Sequence, residues 1–130
     1  MSLSVSPELL EQATTGEVDD QAFVDCIRTS LPYAWETISG LVARLDTGGS
    51  EFVDNQVPPP DEQARGQLLR ALASDSMRSA LERHFGVRLA FQNCHRVAVF
   101  HPTAAAGSGY REFVSARGQL LNQSPGLVDC

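Results

Sequence analysis

The sequence predicts a predominantly helical single domain of α+β class, packed on a small antiparallel β-hairpin. Three observations lead there. The chain has 130 residues, the length of one domain, which buries about two thirds of the surface its unfolded form exposes. Apolar residues recur at steps of three and four from Phe23 to Leu45, the pattern of a helix with one buried face. From Val87 the spacing becomes strict alternation, the pattern of a strand.

The elements follow in order. Ser6-Pro7-Glu8 starts a helix over 7–15: a hydroxyl caps it, proline takes the first turn and an acid meets the positive dipole end. Asp19 and Asp20 cap a long helical stretch over 19–46, in which Phe23, Cys26, Ile27, Leu31, Ala34, Trp35, Ile38, Leu41, Val42 and Leu45 stay in phase. Pro32 removes a donor and crowds the preceding turn, so this stretch is either a kinked helix or two helices meeting at Ser30-Leu31-Pro32. Residues 46–60 read as an internal Pro-rich linker, stiffened by Pro58-Pro59-Pro60. Helices over 61–73 and 75–85 follow, started by Asp61 and by Ser74 or Asp75, with Gly86 at the C-cap. Strands over 87–92 and 96–101 form the hairpin. Helices should cover the face that carries Val87, Leu89 and Phe91. The spacing of Tyr110, Phe113, Val114, Leu120 and Leu121 favours a last helix over 110–121, with a strand at 110–115 as the competitor, and 124–130 reads as a tail. The hexapeptide Ala-Arg-Gly-Gln-Leu-Leu occurs at 64–69 and at 116–121; if the repeat is structural, both copies are helical.

Composition restricts the function classes. Sixteen acids against ten bases give a net charge of -6, and the bases are scattered, so the chain lacks the basic footprint from which nucleic-acid binding draws its affinity. No nucleic-acid partner is expected. No apolar run reaches the ~20 residues of a membrane span, and the start carries no secretory pattern, which predicts a cytoplasmic protein. All ten bases are arginine, which excludes lysine-dependent catalysis and fits the codon bias of a GC-rich genome. The three cysteines Cys26, Cys94 and Cys130 form an odd set, which argues for reduced thiols.

Two clusters stand out as candidate sites. Phe91-Gln92-Asn93-Cys94-His95-Arg96 gathers a thiol, an imidazole, two amides and a guanidinium at the end of a strand. Gln92, Asn93, Cys94, His95 and Arg96 are therefore candidate ligand-binding residues. Cys94 is also a candidate nucleophile or redox thiol. His95, its neighbour, points to the opposite face of a regular strand, so a base for Cys94 would come from His84 or His101 unless a bulge re-aims His95. The second cluster is Tyr33 and Trp35 beside Pro32, which suits a pocket wall or an anchor for a partner, although the phase of Trp35 also suits core packing. A Cys/His metal site could draw on Cys26, Cys94, Cys130, His84, His95 and His101, but the short paired spacings of structural zinc sites are missing. Gly107-Ser108-Gly109 fits neither a P-loop nor a Rossmann fingerprint.

Together, Ser30-Leu31-Pro32-Tyr33-Ala34-Trp35, Pro58-Pro59-Pro60-Asp61, Arg65-Gly66-Gln67-Leu68-Leu69-Arg70 and the run from Phe91 to Phe100 resemble a family of small uncharacterised Streptomyces and related actinobacterial proteins. The resemblance covers nearly the whole chain and implies an actinobacterial, cytoplasmic origin, with no catalytic residue carried over. The functional expectation is a non-enzymatic accessory protein that binds a protein partner or a small ligand and needs no cofactor. The alternatives are a cysteine-dependent enzyme or redox sensor built on Cys94, and a Cys/His metal-binding protein.

Overall fold

A computed structural model describes residues 2–93 and 95–121. It has an α+β fold in which helices cover both faces of a small antiparallel sheet. Helix α1 (Pro7–Thr15) is capped by Ser6, whose Oγ accepts from the Leu9 N–H at 3.1 Å. Helix α2 (Asp20–Ser30) is capped by Asp19, whose carboxylate accepts from the Ala22 N–H at 2.9 Å. The long apolar stretch resolves into two helices, not one kinked helix. Leu31 leaves the helical region at φ -128° and ψ 64°, and Pro32 begins α3 (Pro32–Gly48), where its missing N–H is no loss.

Leu31 cannot cap α3 with a side chain, and the vacancy is filled from another helix. Gln67 lies on α4 (Glu62–Leu72) and is 8% exposed. Its Oε1 accepts from the Tyr33 N–H at 2.6 Å and from the Ala34 N–H at 3.2 Å. One buried amide thus satisfies two of the orphan donors of α3, a role worth roughly 1–2 kcal/mol. Helix α5 (Asp75–Phe85) is capped by Ser74 and ends at Gly86, whose φ of 66° is the left-handed conformation that glycine adopts without strain.

The sheet differs from the expected hairpin by one strand. Strands β2 (Arg88–Gln92) and β3 (Arg96–Phe100) pair as the alternation requires, from Arg88 opposite Phe100 to Gln92 opposite Arg96. Within the expected 46–60 linker, Phe52–Asp54 forms a strand, β1, which pairs antiparallel with the other edge of β3. The order is β1-β3-β2. A strand of three residues is too short to show a period, and it exists because the central strand offers an edge to pair with.

Burial is also two-sided where one buried face was expected. Leu89, Val97 and Val99 join Ile27, Leu31, Ile38, Leu45, Leu68 and Leu81 in the main core. On the other face Ala90, Ala98 and Phe100 pack with Phe113, flanked by Phe52 and Tyr110. Phe52 stacks on Phe100 with centroids 4.7 Å apart, and Phe113 and Tyr110 meet Phe100 edge-on. The C-terminal elements provide this cover. The small-residue loop begins with a 3₁₀ turn (Pro102–Ala106), and the expected helix over 110–121 is two short ones, α6 (Ser108–Phe113) and α7 (Ala116–Leu121). Gly118 is buried where α7 folds back over α6, so close that an added Cβ would collide with the Glu112 carbonyl. Both hexapeptide copies are helical, yet Leu68 is fully buried in α4 while its counterpart Leu120 is 70% exposed. The 124–130 tail lies outside the described residues.

Helices α2 and α5 are tied at the surface. Asp20 accepts from Arg83 Nε at 2.8 Å and Nη2 at 2.9 Å. The hydrogen bonds from Arg83 hold the Asp20 carboxyl below its ordinary value of 3.8. A carboxyl lowered in the folded state stabilises the fold above its unfolded pKa, and the contribution fades as pH falls through the lower, folded value. NMR carboxyl titration should show Asp20 ionising below 3.8 in the native protein and moving back toward that value in Arg83→Gln. The variant's urea midpoint should converge on the wild type's in acid.

Candidate functional site

The polar segment at the hairpin end is built from the ladder outward. Gln92 and Arg96 close the hairpin as a cross-strand pair. Asn93 turns the chain in the left-handed region at φ 53°, which a short amide side chain tolerates. The His95 N–H reaches the Gln92 carbonyl at 3.4 Å, and its ring Nδ1–H donates to the Asn93 carbonyl at 2.7 Å. A carbonyl oxygen only accepts, so that bond holds a proton on Nδ1.

The register puts Gln92, Arg96 and Asp54 on the same sheet face as Ala98 and Phe100, under the C-terminal helices. Asp54 is 5% exposed and forms an ion pair with Arg96, whose Nε donates to Oδ2 at 2.9 Å. Gln56 also donates to the Asp54 carboxylate. The Arg96 guanidinium lies over the Phe113 ring at 5.4 Å. Gln92 Nε2 donates to the Phe113 carbonyl at 2.5 Å, and Gln119 Nε2 donates to Asn93 Oδ1. Asn55 extends the contact between strands: its Nδ2 donates to the His95 carbonyl at 2.7 Å and its Oδ1 accepts from the Val97 N–H at 2.8 Å. These bonds make the segment a latch. It joins β1 to β3 and docks α6 and α7 on the sheet. Gln92 Oε1 is the one buried side-chain polar atom among the described residues without a partner.

The histidines do not converge. His95 is at the turn, while His101 follows Phe100 at the opposite end of the ribbon, about 20 Å of strand away. There its N–H donates to the Glu51 carbonyl at 3.2 Å. His84 is exposed at the end of α5, against Trp35. Cys94 and Cys130 lie outside the described residues, so the thiol nucleophile and the metal set that would use them have no described geometry. Cys26 is buried, with Sγ 3.4 Å from the Ser4 carbonyl. Among the described residues no three His, Cys, Asp or Glu side chains form a group that could hold a metal ion.

The second cluster is better assembled. Trp35 is half-buried on α3, with the Arg28 guanidinium 5.7 Å from its ring centre, His84 at 5.4 Å and Phe85 at 5.0 Å. Tyr33 is half-buried one residue into the same helix. Helices α2, α3 and α5 thus present an aromatic surface edged by Arg28, which also pairs with Asp25 at 3.1 Å. Shallow concavities of about 310 to 530 Å³ among the described residues lie elsewhere, and their linings do not include Tyr33, Trp35, Gln92, Asn93, His95 or Arg96.

Sequence reasoning missed Asp54, Asn55, Gln67, Phe113 and Gln119. Their partners are far along the chain, so no local spacing could reveal them. Replacing Arg96 by Met should cost about 3 kcal/mol in urea unfolding, because it leaves the buried Asp54 carboxylate without its guanidinium.

No curated protein and no solved structure matches the chain. Residues 1–130 match in full the family described as NucS shadow ORF, under the label KH NucS shadow. The chain belongs to that family of uncharacterised proteins.

Proposed function

We propose that the protein is a non-enzymatic accessory protein that works by binding a protein partner. The observation that carries this reading is the Trp35 surface. Tryptophan, tyrosine and arginine dominate binding hot spots, and here Arg28, Trp35 and His84 stand together where three helices meet. The side chains with the most chemistry in the sequence point the same way, since Gln92, Asn93, His95 and Arg96 are engaged in holding the sheet and its cover. The proposed setting is the cytoplasm of an actinobacterial cell, in keeping with an all-arginine set of bases. Nucleic acid is not the proposed partner. KH modules clamp four backbone nucleotides with a G-x-x-G loop. This chain has ten glycines, none followed by another at the third position on, and a net charge of -6.

The family's description favours a second reading. A shadow open reading frame takes its composition from the coding sequence it shadows, and the absence of lysine fits residues set by such a frame. Mass spectrometry of source cells separates the two readings, because an accessory protein accumulates and a by-product does not.

Trp35 is the only tryptophan, so its emission reports on the patch. The partner retained from native extract should shift that emission. Arg28→Ala/His84→Ala, with unchanged circular dichroism, should weaken retention by about tenfold or more. Undiminished retention by the double variant, or substrate turnover abolished by Cys94→Ser, would contradict the proposal.

A further inference from the structure

The open edge of the sheet carries an inference beyond the Trp35 surface, on residues that surface does not use. Val97 turns its backbone toward β1: its N–H donates to Asn55 Oδ1 at 2.8 Å and its carbonyl accepts from the Asn55 N–H at 3.3 Å. In an antiparallel ladder the residue opposite, Phe91, then directs its own N–H and C=O away from β3. Leu89, two residues back, shares that orientation, and its N–H donates outward to Glu82 Oε2 at 2.8 Å. The Phe91 N–H and C=O and the Leu89 C=O therefore face outward along β2.

A concavity of about 320 Å³ runs along this edge. Leu72 and Arg78 wall it on the side of the main core, and Tyr110 and Val114 wall it on the C-terminal side. Its described lining contains two arginines, Arg78 and Arg88. Arg78 is already engaged: Nη2 donates to Asp75 Oδ1 at 2.7 Å and Nη1 to the Leu72 carbonyl at 3.0 Å. Arg88 directs Nε toward Tyr110 and Glu82, which leaves its Nη groups for another carboxylate.

We propose that β2 accepts an extended segment of a partner protein as a fourth strand, and that a carboxylate on this segment meets Arg88. Outward backbone donors and acceptors fit a peptide main chain, which alternates the same groups. The nucleic-acid backbone offers no such alternation. A second copy is a poor fit, because its own flanking helices would arrive with its edge, whereas the walls on both faces of the groove admit a single strand.

The test uses the full chain and fluorescence anisotropy with four labelled probes. These are a peptide of alternating Val and Glu, its twin N-methylated at alternate residues, a Val–Lys twin and oligo(dT). The Val–Glu peptide should bind, and N-methylation, which removes main-chain donors, should weaken binding about tenfold or more. Phe91→Pro removes the outward N–H at an edge position where proline is tolerated and should weaken binding similarly. Arg88→Glu, a surface change, should shift preference to the Val–Lys twin. Three results would overturn the proposal: equal binding of the methylated twin, no peptide binding while oligo(dT) binds, or sedimentation showing the chain self-associating through this edge. The Arg28→Ala/His84→Ala variant leaves the groove intact, so failure here and failure at the Trp35 surface are distinguishable.

Discussion

The architecture depends on one strand being enclosed in every direction. β3 is bonded on one edge to β2 and on the other to β1, and its side chains alternate between two cores. Val97 and Val99 point into the helical layer, Ala98 and Phe100 into the C-terminal cover, and all four are fully buried. A strand buried on both faces needs a partner layer on each. The C-terminal elements are therefore part of the domain, and the segment before the triple proline pairs with the sheet. Burying a side chain such as Val99 or Phe100 contributes roughly 1.5–3 kcal/mol, so the two covers add stability at the same strand.

The polar residues at the turn follow from that enclosure. A two-sided sheet carries its polar groups into a dry layer at one end, where each needs a partner. Asp54 finds Arg96, Gln92 finds the Phe113 carbonyl, and Asn93 finds Gln119. A dense set of reactive residue types can thus be the joinery of a fold. The aromatic side chains at Trp35 and the outward backbone of β2 are the features that joinery leaves available.

Much of the helical layer was legible because its signals are local. Ser6, Asp19, Asp61 and Ser74 cap the helices they precede, and Pro32 divides the long apolar stretch. The two strands of the hairpin were legible from alternation. β1 was not, since Phe52-Val53-Asp54 is too short for periodicity and its pairing lies more than forty residues away. Two-sided burial was hidden because Ala90 and Ala98 are small enough to suit either an exposed or a buried face. The cap that Gln67 places on α3 left no local trace either, as the helix it serves starts 35 residues earlier. Tyr33 and Trp35 were singled out by residue type alone. The roles of Gln92, Asn93, His95 and Arg96 needed partners that only the tertiary structure supplies.

Native-state hydrogen exchange tests the enclosure of β3 most directly. The Val97, Ala98, Val99 and Phe100 amides should exchange only through global unfolding, with the full stability of the domain as their opening free energy. The Phe91 amide, on the open edge, should exchange orders of magnitude faster. Protection at Phe91 equal to that of β3, or β3 amides exchanging as freely as those of α1, would contradict the account.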